Sequence, residues 1–346
     1  MSYFEKLDNG LIMRSVRDER DIARFADFNA RCNNASEGAT CKCVLEGFPG
    51  LDYDGWQLIE DEKTGEIVST TCLIPWTLDY EGIIVKTAML EMVLTHPEYR
   101  KLGLVRTQIK RFHQLVDEQK FDLGIIWGIP YYYRQYGYSY CIPGSSSDSL
   151  PAWRIPDVCL DGSRRLRLRE AGTEDIAELT DLYQKNVKAL QVHVKRDEAH
   201  WEYMLKRAQF PVYMLEDCTT GAALGYAVMH RFRDKERVHI LEYGIAGAAD
   251  GLAFLQLMKS EVSGEVIISW PEESTLVKLA RSLGSMRVAG GQWLIRIPDI
   301  PGFMMRIGVV LEKRLAQSSC AGMTRDMIIN LFRRAYLFCF KEGRFT

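Results

Sequence analysis

Residues 89–127 carry a strand, a glycine-containing turn, a helix and a second strand in direct succession. An apolar run over residues 89–95 leads through Pro97 into the string RKLGLV at residues 100–105. Apolar side chains at positions 105, 109, 112 and 116 predict a helix with one buried face. Residues 123–127 (LGIIW) are apolar on both faces, which favours a strand that is covered on both sides. The segment therefore predicts an α/β unit.

Gly103 stands where the predicted turn becomes the predicted helix. Glycine at this point lets the chain bend and lets a ligand approach the backbone closely. The first N–H groups of a helix lack internal partners, and together with the helix dipole they attract an anion such as a pyrophosphate. Arg106, Lys110 and Arg111 add positive charge near the helix start. The segment predicts a phosphate-binding turn, although an ordinary strand–turn–helix unit would carry the same short motif.

The longer string THPEYRKLGL at residues 95–104, with YRQYGY at residues 133–138, resembles the GCN5-related N-acetyltransferase (GNAT) superfamily and, more closely, its multidomain enhanced-intracellular-survival branch. That resemblance implies acetyl-coenzyme A as cosubstrate and no metal. It implies that the strand bearing Val93, Leu94 and Thr95 holds the pantetheine arm and the acetyl carbonyl. The residues that would bind the pyrophosphate through backbone amides are Arg100, Lys101, Leu102, Gly103, Leu104 and Val105. The family pattern ends in Gly or Ala where this chain has Val105.

Acetyl transfer needs a neutral amine, a donor for the developing oxyanion and a proton for the departing thiolate. The resemblance assigns the acid to Tyr133, with Tyr132 as the alternative. It implies that the backbone N–H of Val93, or of a neighbour, donates to the oxyanion. Glu91 is the candidate base, but Glu242 recurs at the matching position later in the chain, which equally favours a shared structural role. Other residues that could lie in the active-site cleft are His96 and Trp127.

The chain contains a similar pattern twice. Residues 11–30 and 166–183 each read as a strand, an acidic turn and an amphipathic helix, and the string DIA occurs in both. Residues 89–92 (MLEM) resemble residues 240–243 (ILEY), and each string precedes a helix and a buried strand, the second at residues 266–270. Each unit then returns through a possible strand, near residues 138–142 and 292–297. Breaker residues over 145–164 predict a linker between the units.

The predicted fold class is therefore α/β (α+β): tandem GNAT-like units, each a mixed twisted sheet flanked by helices, followed by a short C-terminal segment. Residues 1–150 are expected to form the acetyltransferase domain, and residues 160–297 a second, degenerate unit without the arginine of the phosphate turn. Residues 298–346 resemble the opening of the sterol-carrier-like third domain of that branch.

The composition of the chain bears on its possible partners and on its cellular compartment. The chain has 47% apolar and 26% charged residues and a net charge of -2, so nothing favours nucleic acid or an anionic membrane as partner. No apolar stretch approaches the ~20 residues that span a bilayer. Nine cysteines without a C-x-x-C pair, and an N-terminus without a signal-peptide pattern, predict a cytoplasmic protein with reduced thiols.

The expected function is acetyl-CoA-dependent transfer to a primary amine of a small molecule, or to an exposed amino group, by direct attack on the thioester. One alternative is a non-catalytic acyl-CoA-binding or scaffold protein with the same fold. Another is an aminoacyl transferase using charged transfer RNA, which the near-neutral charge disfavours. Homo-oligomers are common in the similar branch. A cleft for a cationic amine acceptor could be lined by Trp56, Trp76, Asp79, Tyr80 and Glu81, but the pattern favours exposed residues of a hairpin.

Overall fold

The computed structural model describes residues 3–144, 146–157, 166–232, 236–245, 247–269, 271–332 and 334–346. In this part of the chain two large mixed sheets and one small antiparallel sheet are flanked by helices, so the predicted fold class is confirmed.

The first sheet contains most of the N-terminal half of the chain. Its strand order is β1-β2-β3-β4-β5-β6-β16-β7, where β16 is the late strand Gln292–Arg296. The strand β10 (Val192–Val194) pairs with one end of β4. The elements up to β7 are β1 (Phe4–Lys6), β2 (Leu11–Ser15), α1 (Glu19–Cys32), α2 (Ala35–Gly47), β3 (Trp56–Asp61), β4 (Ile67–Tyr80), β5 (Ile83–Thr95), α3 (Leu104–Glu118), β6 (Leu123–Ile126) and β7 (Ser139–Pro143).

The second sheet repeats this arrangement in the order β15-β8-β14-β13-β12-β11-β9. Its strands and helices, with β10 of the first sheet, are β8 (Ser147–Pro151), β9 (Leu166–Glu170), α4 (Ile176–Val187), β10 (Val192–Val194), α5 (Glu198–Lys206), β11 (Val212–Asp217), β12 (Ala223–Arg231), β13 (Arg237–Ile245), α6 (Ala248–Glu261), β14 (Glu265–Ser269), α7 (Thr275–Ser282) and β15 (Met286–Val288). Residue 270, predicted as the end of a strand, lies outside the described residues.

Strand exchange joins the two large sheets. β8 lies in the second sheet, where Leu150 pairs with Val266, whereas β16 (Gln292–Arg296) lies between β6 and β7, where Leu294 pairs with Ile126. The linker prediction is therefore wrong for residues 147–151, and so is the prediction that residues 292–297 close the second unit. Of that linker, residues 145 and 158–164 lie outside the described residues. The expected domains 1–150 and 160–297 each contribute a strand to the other's sheet.

An ion-pair triad centred on an arginine occurs at the same place in both units. Its arginine lies on the strand before the first helix, which is β2 before α1 in the first unit and β9 before α4 in the second. The triads are Arg14, Asp21 and Glu60 in the first unit, and Arg169, Asp175 and Glu216 in the second. In each, the guanidinium binds the aspartate through two hydrogen bonds of 2.5–2.9 Å. Because the same three-element contact recurs, the two sheets are consistent with tandem copies of one unit.

Helix α3 packs on the first sheet as its spacing predicts. Ile109, Phe112 and Val116 are buried in one cluster with Leu90 of β5 and Tyr133. Each such side chain contributes roughly 1.5–3 kcal/mol through burial. This packing holds the N-terminus of α3 beside the end of β5.

The C-terminal segment has α8 (Ile300–Arg306), α9 (Gly308–Ala316) and a small antiparallel sheet of β17 (Arg325–Asn330), β18 (Ala335–Lys341) and β19 (Arg344–Phe345). Lys313 and Arg314 of α9 form ion pairs with Glu81 at the β4–β5 turn. No helix among the described residues is both long and apolar enough to cross a membrane.

Candidate functional site

The first sheet opens where β5 and β6 diverge. The two strands pair in parallel from Thr87 to Met89. β5 then continues to Thr95, paired with β4 on its other side. The edge of β5 that faces β6 therefore borders a slot beyond Met89.

A β-bulge lies at this slot. The β4–β5 register shifts between Thr70 and Cys72, so that Leu94 faces Thr70 while Glu91 faces Cys72. Met92 has a φ of 53°, which is unfavourable for a side chain of its size and is often found at functional sites. The Thr70 hydroxyl donates to the Met92 carbonyl (3.0 Å) and holds the bulge. The predicted region of the oxyanion donor thus coincides with a bulged backbone.

The N-terminus of α3 borders the same slot. Gly103 precedes the helix with a φ of 80°, a left-handed conformation that favours glycine, and no side chain of the described residues caps this end. The Thr107 N–H donates to the Gly103 carbonyl (3.1 Å) and starts the helical hydrogen-bond pattern. The preceding N–H groups of Leu104, Val105 and Arg106 have no partner within the helix. This end of α3 is therefore suited to bind an anion.

A cleft of about 720 Å³ connects the bulge and the helix end. Its lining contains three cationic side chains and no carboxylate. The lining residues are Val93, Leu94, Thr95, Tyr99, Arg100, Lys101, Gly103, Leu104, Val105, Arg106, Ile129, Tyr132, Tyr133, Gln135 and Tyr136.

Eight of the nine residues predicted to bind the cofactor line this cleft. Leu102 does not line it, and half of its surface is exposed, so at this position the turn directs the side chain away. Sequence reasoning missed Tyr99, Ile129 and Gln135, which join the lining from flanking turns. Tyr99 is fixed by its hydroxyl, which donates to Asp61 (2.9 Å).

Tyr133 lies in a short 3₁₀ helix (Tyr132–Tyr136) at the rim of the cleft and is 3% exposed. A Cβ at Gly128 would lie 2.2 Å from its ring, so only glycine permits this packing. Burial raises the pKa of Tyr133, with smaller contributions from Tyr132 and Glu91. Within the described residues its hydroxyl forms no hydrogen bond, and Tyr133 lines the cleft. The phenol is therefore protonated at neutral pH and free to donate.

Tyr132 lines the cleft as well, but it is more exposed and its hydroxyl lies 3.4 Å from that of Tyr136. Burial and this hydrogen bond raise its pKa to about 12. Both predicted tyrosines thus reach the cleft, and within the described residues the Tyr132 hydroxyl has a competing partner whereas that of Tyr133 has none.

Glu91 projects from the face of β5 that is opposite to the face packed against α3 and Tyr133. Its cross-strand neighbour Cys72 packs in the cluster beneath α1 and α2, whereas Leu90 packs beneath α3 with Tyr133. Burial raises the pKa of Glu91 to about 7; the Met92 N–H opposes this shift, and the charge of Glu37 adds to it. A carboxyl group with this pKa can accept a proton near neutral pH.

The matching Glu242 of the second unit has different surroundings. Arg196 binds it through two hydrogen bonds of 2.5 Å, and the Tyr226 hydroxyl donates to it (2.7 Å). Burial alone would raise the pKa of Glu242, but Arg196 holds it below its usual value. Glu242 is thus a structural ion-pair partner, and the position it shares with Glu91 does not imply a shared role.

Helix α6 of the second unit differs from α3 because it carries a carboxylate in its first turn. Asp250 lies in the first turn of α6, and its Oδ2 is 2.8 Å from where a Cβ on Gly247 would be. A carboxylate at this position stabilises the helix dipole and repels a phosphate. That residues 160–297 form a degenerate copy of the first unit stays a prediction.

Other residues considered from the sequence have structural contacts. His96 caps the turn after β5 through its ring nitrogen (3.4 Å from the Glu98 N), and Trp127 packs on Trp293 of β16. Trp56 is fully buried in the core, so the suggestion that it lines a cleft, or is exposed, is wrong. The described residues hold no group of three or more metal-binding side chains.

Residues 17–141 match the family model of the acetyltransferase (GNAT) domain. No curated protein matches the sequence. Among solved structures, the chain resembles a probable N-acyltransferase from Enterococcus faecalis V583, with a TM-score of 0.69 and 14% identity over 97% of this chain and 84% of that one.

A GCN5-related N-acetyltransferase from Anabaena variabilis ATCC 29413 gives a TM-score of 0.68 and 17% identity over 97% of this chain and 84% of that one. The N-myristoyltransferase of Saccharomyces cerevisiae, solved with myristoyl-CoA, gives 0.60 and 11% over 85% of this chain and 80% of that one. At such identities the likeness establishes the fold alone. The chain has the GNAT fold, and residues 17–141 match the acetyltransferase domain of that family.

Proposed function

We propose that this protein is an acetyl-CoA-dependent N-acetyltransferase of the multidomain enhanced-intracellular-survival type. It acts on a primary amine of a small molecule or on an exposed amino group. The observation that carries the proposal is the cleft between β5 and the N-terminus of α3, where a bulged strand, an uncapped helix end and three cationic side chains meet. The family match over residues 17–141 supports the same activity.

The residues of this cleft fit coenzyme A. The N–H groups of residues 103–106 would bind the pyrophosphate, and Arg100, Lys101 and Arg106 would add positive charge around it. The backbone of Val93, Leu94 and Thr95 would bind the pantetheine arm. When bound, the cosubstrate supplies an acetyl group that is activated as a thioester.

Residues of this chain then transfer the protons and stabilise the negative charge that develops during the reaction. Glu91 accepts a proton from the incoming ammonium group, so that the neutral amine attacks the carbonyl carbon. The Val93 N–H donates to the carbonyl oxygen as negative charge develops there. The C–N bond forms and the C–S bond breaks, and Tyr133 donates its proton to the departing sulfur. Solvent takes up the second proton that the nitrogen loses as the amide forms, and it returns a proton to Tyr133. Glu91 then releases its proton to solvent.

Two substitutions of Gly103, to Asp and to Asn, test the cofactor site, because these two side chains have nearly the same size and differ in charge. Asp and Asn both tolerate a left-handed φ, and in the described part of the chain no atom lies within 4 Å of a Cβ at this position. Gly103→Asp adds a negative charge where the pyrophosphate would bind, and Gly103→Asn does not. Calorimetry should show acetyl-CoA affinity at least ~10-fold weaker for Asp than for Asn. Equal affinities, or no binding by the unchanged protein, would refute the site.

Catalysis is tested by thiol release. The protein should release coenzyme A from acetyl-CoA in the presence of a panel of primary amines. Acetyl-CoA binding without amine-dependent thiol release would instead support the non-catalytic alternative.

A further inference from the structure

A buried polar network connects β4, β5 and α3 beneath the candidate site. Ser69 of β4 and Gln108 of α3 are fully buried, and the Ser69 oxygen lies 2.7 Å from Oε1 of Gln108. The same Ser69 oxygen lies 2.9 Å from the Leu94 carbonyl oxygen and 2.9 Å from Oγ1 of Thr95. Thr95 also lines the cleft. The network therefore links the protein interior to a side chain of the candidate site.

The hydrogen-bond polarity of this network follows from the donors that it contains. Nε2 of Gln108 donates to the Gln57 carbonyl (3.4 Å), so Oε1 of Gln108 faces Ser69 as an acceptor. The Leu94 carbonyl is likewise an acceptor only. Because a hydroxyl has a single proton, Ser69 donates it toward these two oxygens. Ser69 can then bond to Thr95 only as an acceptor, and the Thr95 hydroxyl is the donor.

This polarity determines what Thr95 presents to the cleft. Its single proton is directed to Ser69, so its remaining hydrogen-bonding capacity consists of oxygen lone pairs. Among the residues that the structure describes, no other side chain forms a hydrogen bond with the Thr95 hydroxyl. Thr95 can therefore accept a hydrogen bond from a ligand, but it can donate one only by breaking its bond to Ser69.

We infer that Ser69 is a positioning residue for the cosubstrate, because it orients the Thr95 hydroxyl as an acceptor for an N–H or O–H group of the pantetheine arm. The inference rests on the proposed function, in which the strand that bears Thr95 binds that arm. Pantetheine suits such an acceptor, since it carries amide N–H groups and a hydroxyl. An acceptor that is already oriented binds with a smaller loss of side-chain entropy.

Coenzyme A and phosphoadenosine diphosphate provide the test, because the second compound is the part of coenzyme A without the pantetheine arm. Calorimetry gives the affinity for each, and the ratio of the two affinities measures contacts with the arm. Thr95→Val keeps the shape of the side chain and removes its hydroxyl, so the ratio should fall about tenfold. Thr95→Ser keeps the hydroxyl and should retain the ratio within about twofold.

Ser69→Ala leaves Thr95 in place and removes the group that orients it. The ratio should therefore fall at least ~3-fold. Gln108→Met is the matched control, because the Leu94 carbonyl can still accept the Ser69 proton and the polarity at Thr95 is retained. This variant should preserve the ratio even if its packing change weakens the binding of both compounds.

Binding of phosphoadenosine diphosphate shows in each case that the variant is folded. An unchanged ratio in Ser69→Ala, or an equal fall in Gln108→Met, would overturn the inference, since packing and not polarity would then set the affinity. The Thr95 variants decide the acceptor role even where Ser69→Ala does not fold. Wild-type binding of coenzyme A with no effect of Thr95→Val would refute this inference alone, whereas no binding of either compound by the unchanged protein would refute the proposed function with it.

Discussion

Glu91 and Glu242 occupy equivalent positions, two residues beyond the last parallel pair of β5 with β6 and of β13 with β14. Glu242 is bound by Arg196 through two hydrogen bonds. Glu91 forms no ion pair within the described part of the chain. The same residue type in the same fold thus has a lowered pKa in one unit and a raised pKa in the other.

Glu91→Gln should remove the proposed base and lower kcat by about 100-fold. Because burial raises the pKa of Glu91 to about 7, kcat of the wild type should rise with pH up to that region and then level off. The variant should lack this rise. A pH profile of kcat at saturating amine and acetyl-CoA measures both effects. If the variant retains the wild-type profile, another group is the base.

The same substitution should alter stability in a pH-dependent manner. The folded-state pKa of Glu91 lies above its ordinary value of 4.5, so its favourable contribution is complete below that value and is lost as pH rises through about 7. Glu91→Gln should therefore gain up to about 3 kcal/mol over the wild type at pH 8 and little at pH 4.5. Denaturant unfolding at the two pH values measures the difference. An equal difference at both would mean that Glu91 is not perturbed.

The local parts of this site could be predicted from the sequence. The Gly103 turn, the buried face of α3 and the residues around Val93 depend on contiguous segments, and the structure brings them to one cleft. The exposure of the Leu102 side chain could not be predicted, because a string motif does not specify which residue of a turn faces inward.

The roles of the two glutamates could not be predicted, because they depend on distant partners. Arg196 comes to Glu242 from a separate loop, and Cys41 comes to Met92 from α2. Strand exchange was missed for the same reason, since an isolated strand such as β16 shows no preference for either sheet. Periodicity identifies a buried strand but does not identify its neighbours.

Tyr133→Phe should lower kcat by about 100-fold if the hydroxyl donates to the leaving sulfur. The substitution should have little effect on stability, because the hydroxyl forms no hydrogen bond within the described residues. Tyr132→Phe is the matched control and should have a much smaller effect on kcat. Thiol-release kinetics measure the effect of each substitution on kcat, and thermal unfolding measures its effect on stability. A larger loss for Tyr132→Phe would transfer the role to that residue.

Arg196→Met should destabilise the second unit by leaving Glu242 without its counter-charge. Arg196 also stacks on Tyr183 (4.4 Å) and Trp201 (4.9 Å), contacts that Met can partly retain. Breaking a buried ion pair costs about 3–5 kcal/mol, but the Glu242 side chain keeps 29% exposure, so about 2–3 kcal/mol is expected.

The double variant Arg196→Met/Glu242→Gln should recover most of this loss, since no buried charge then remains unpaired. The loss from Arg196→Met alone should be smaller at pH 4.5 than at pH 8, because protonation of Glu242 removes its charge once Arg196 is gone. A double-mutant cycle by denaturant unfolding at both pH values measures the coupling. Additive losses at pH 8 would show that Arg196 acts through packing on the aromatic rings and not through Glu242.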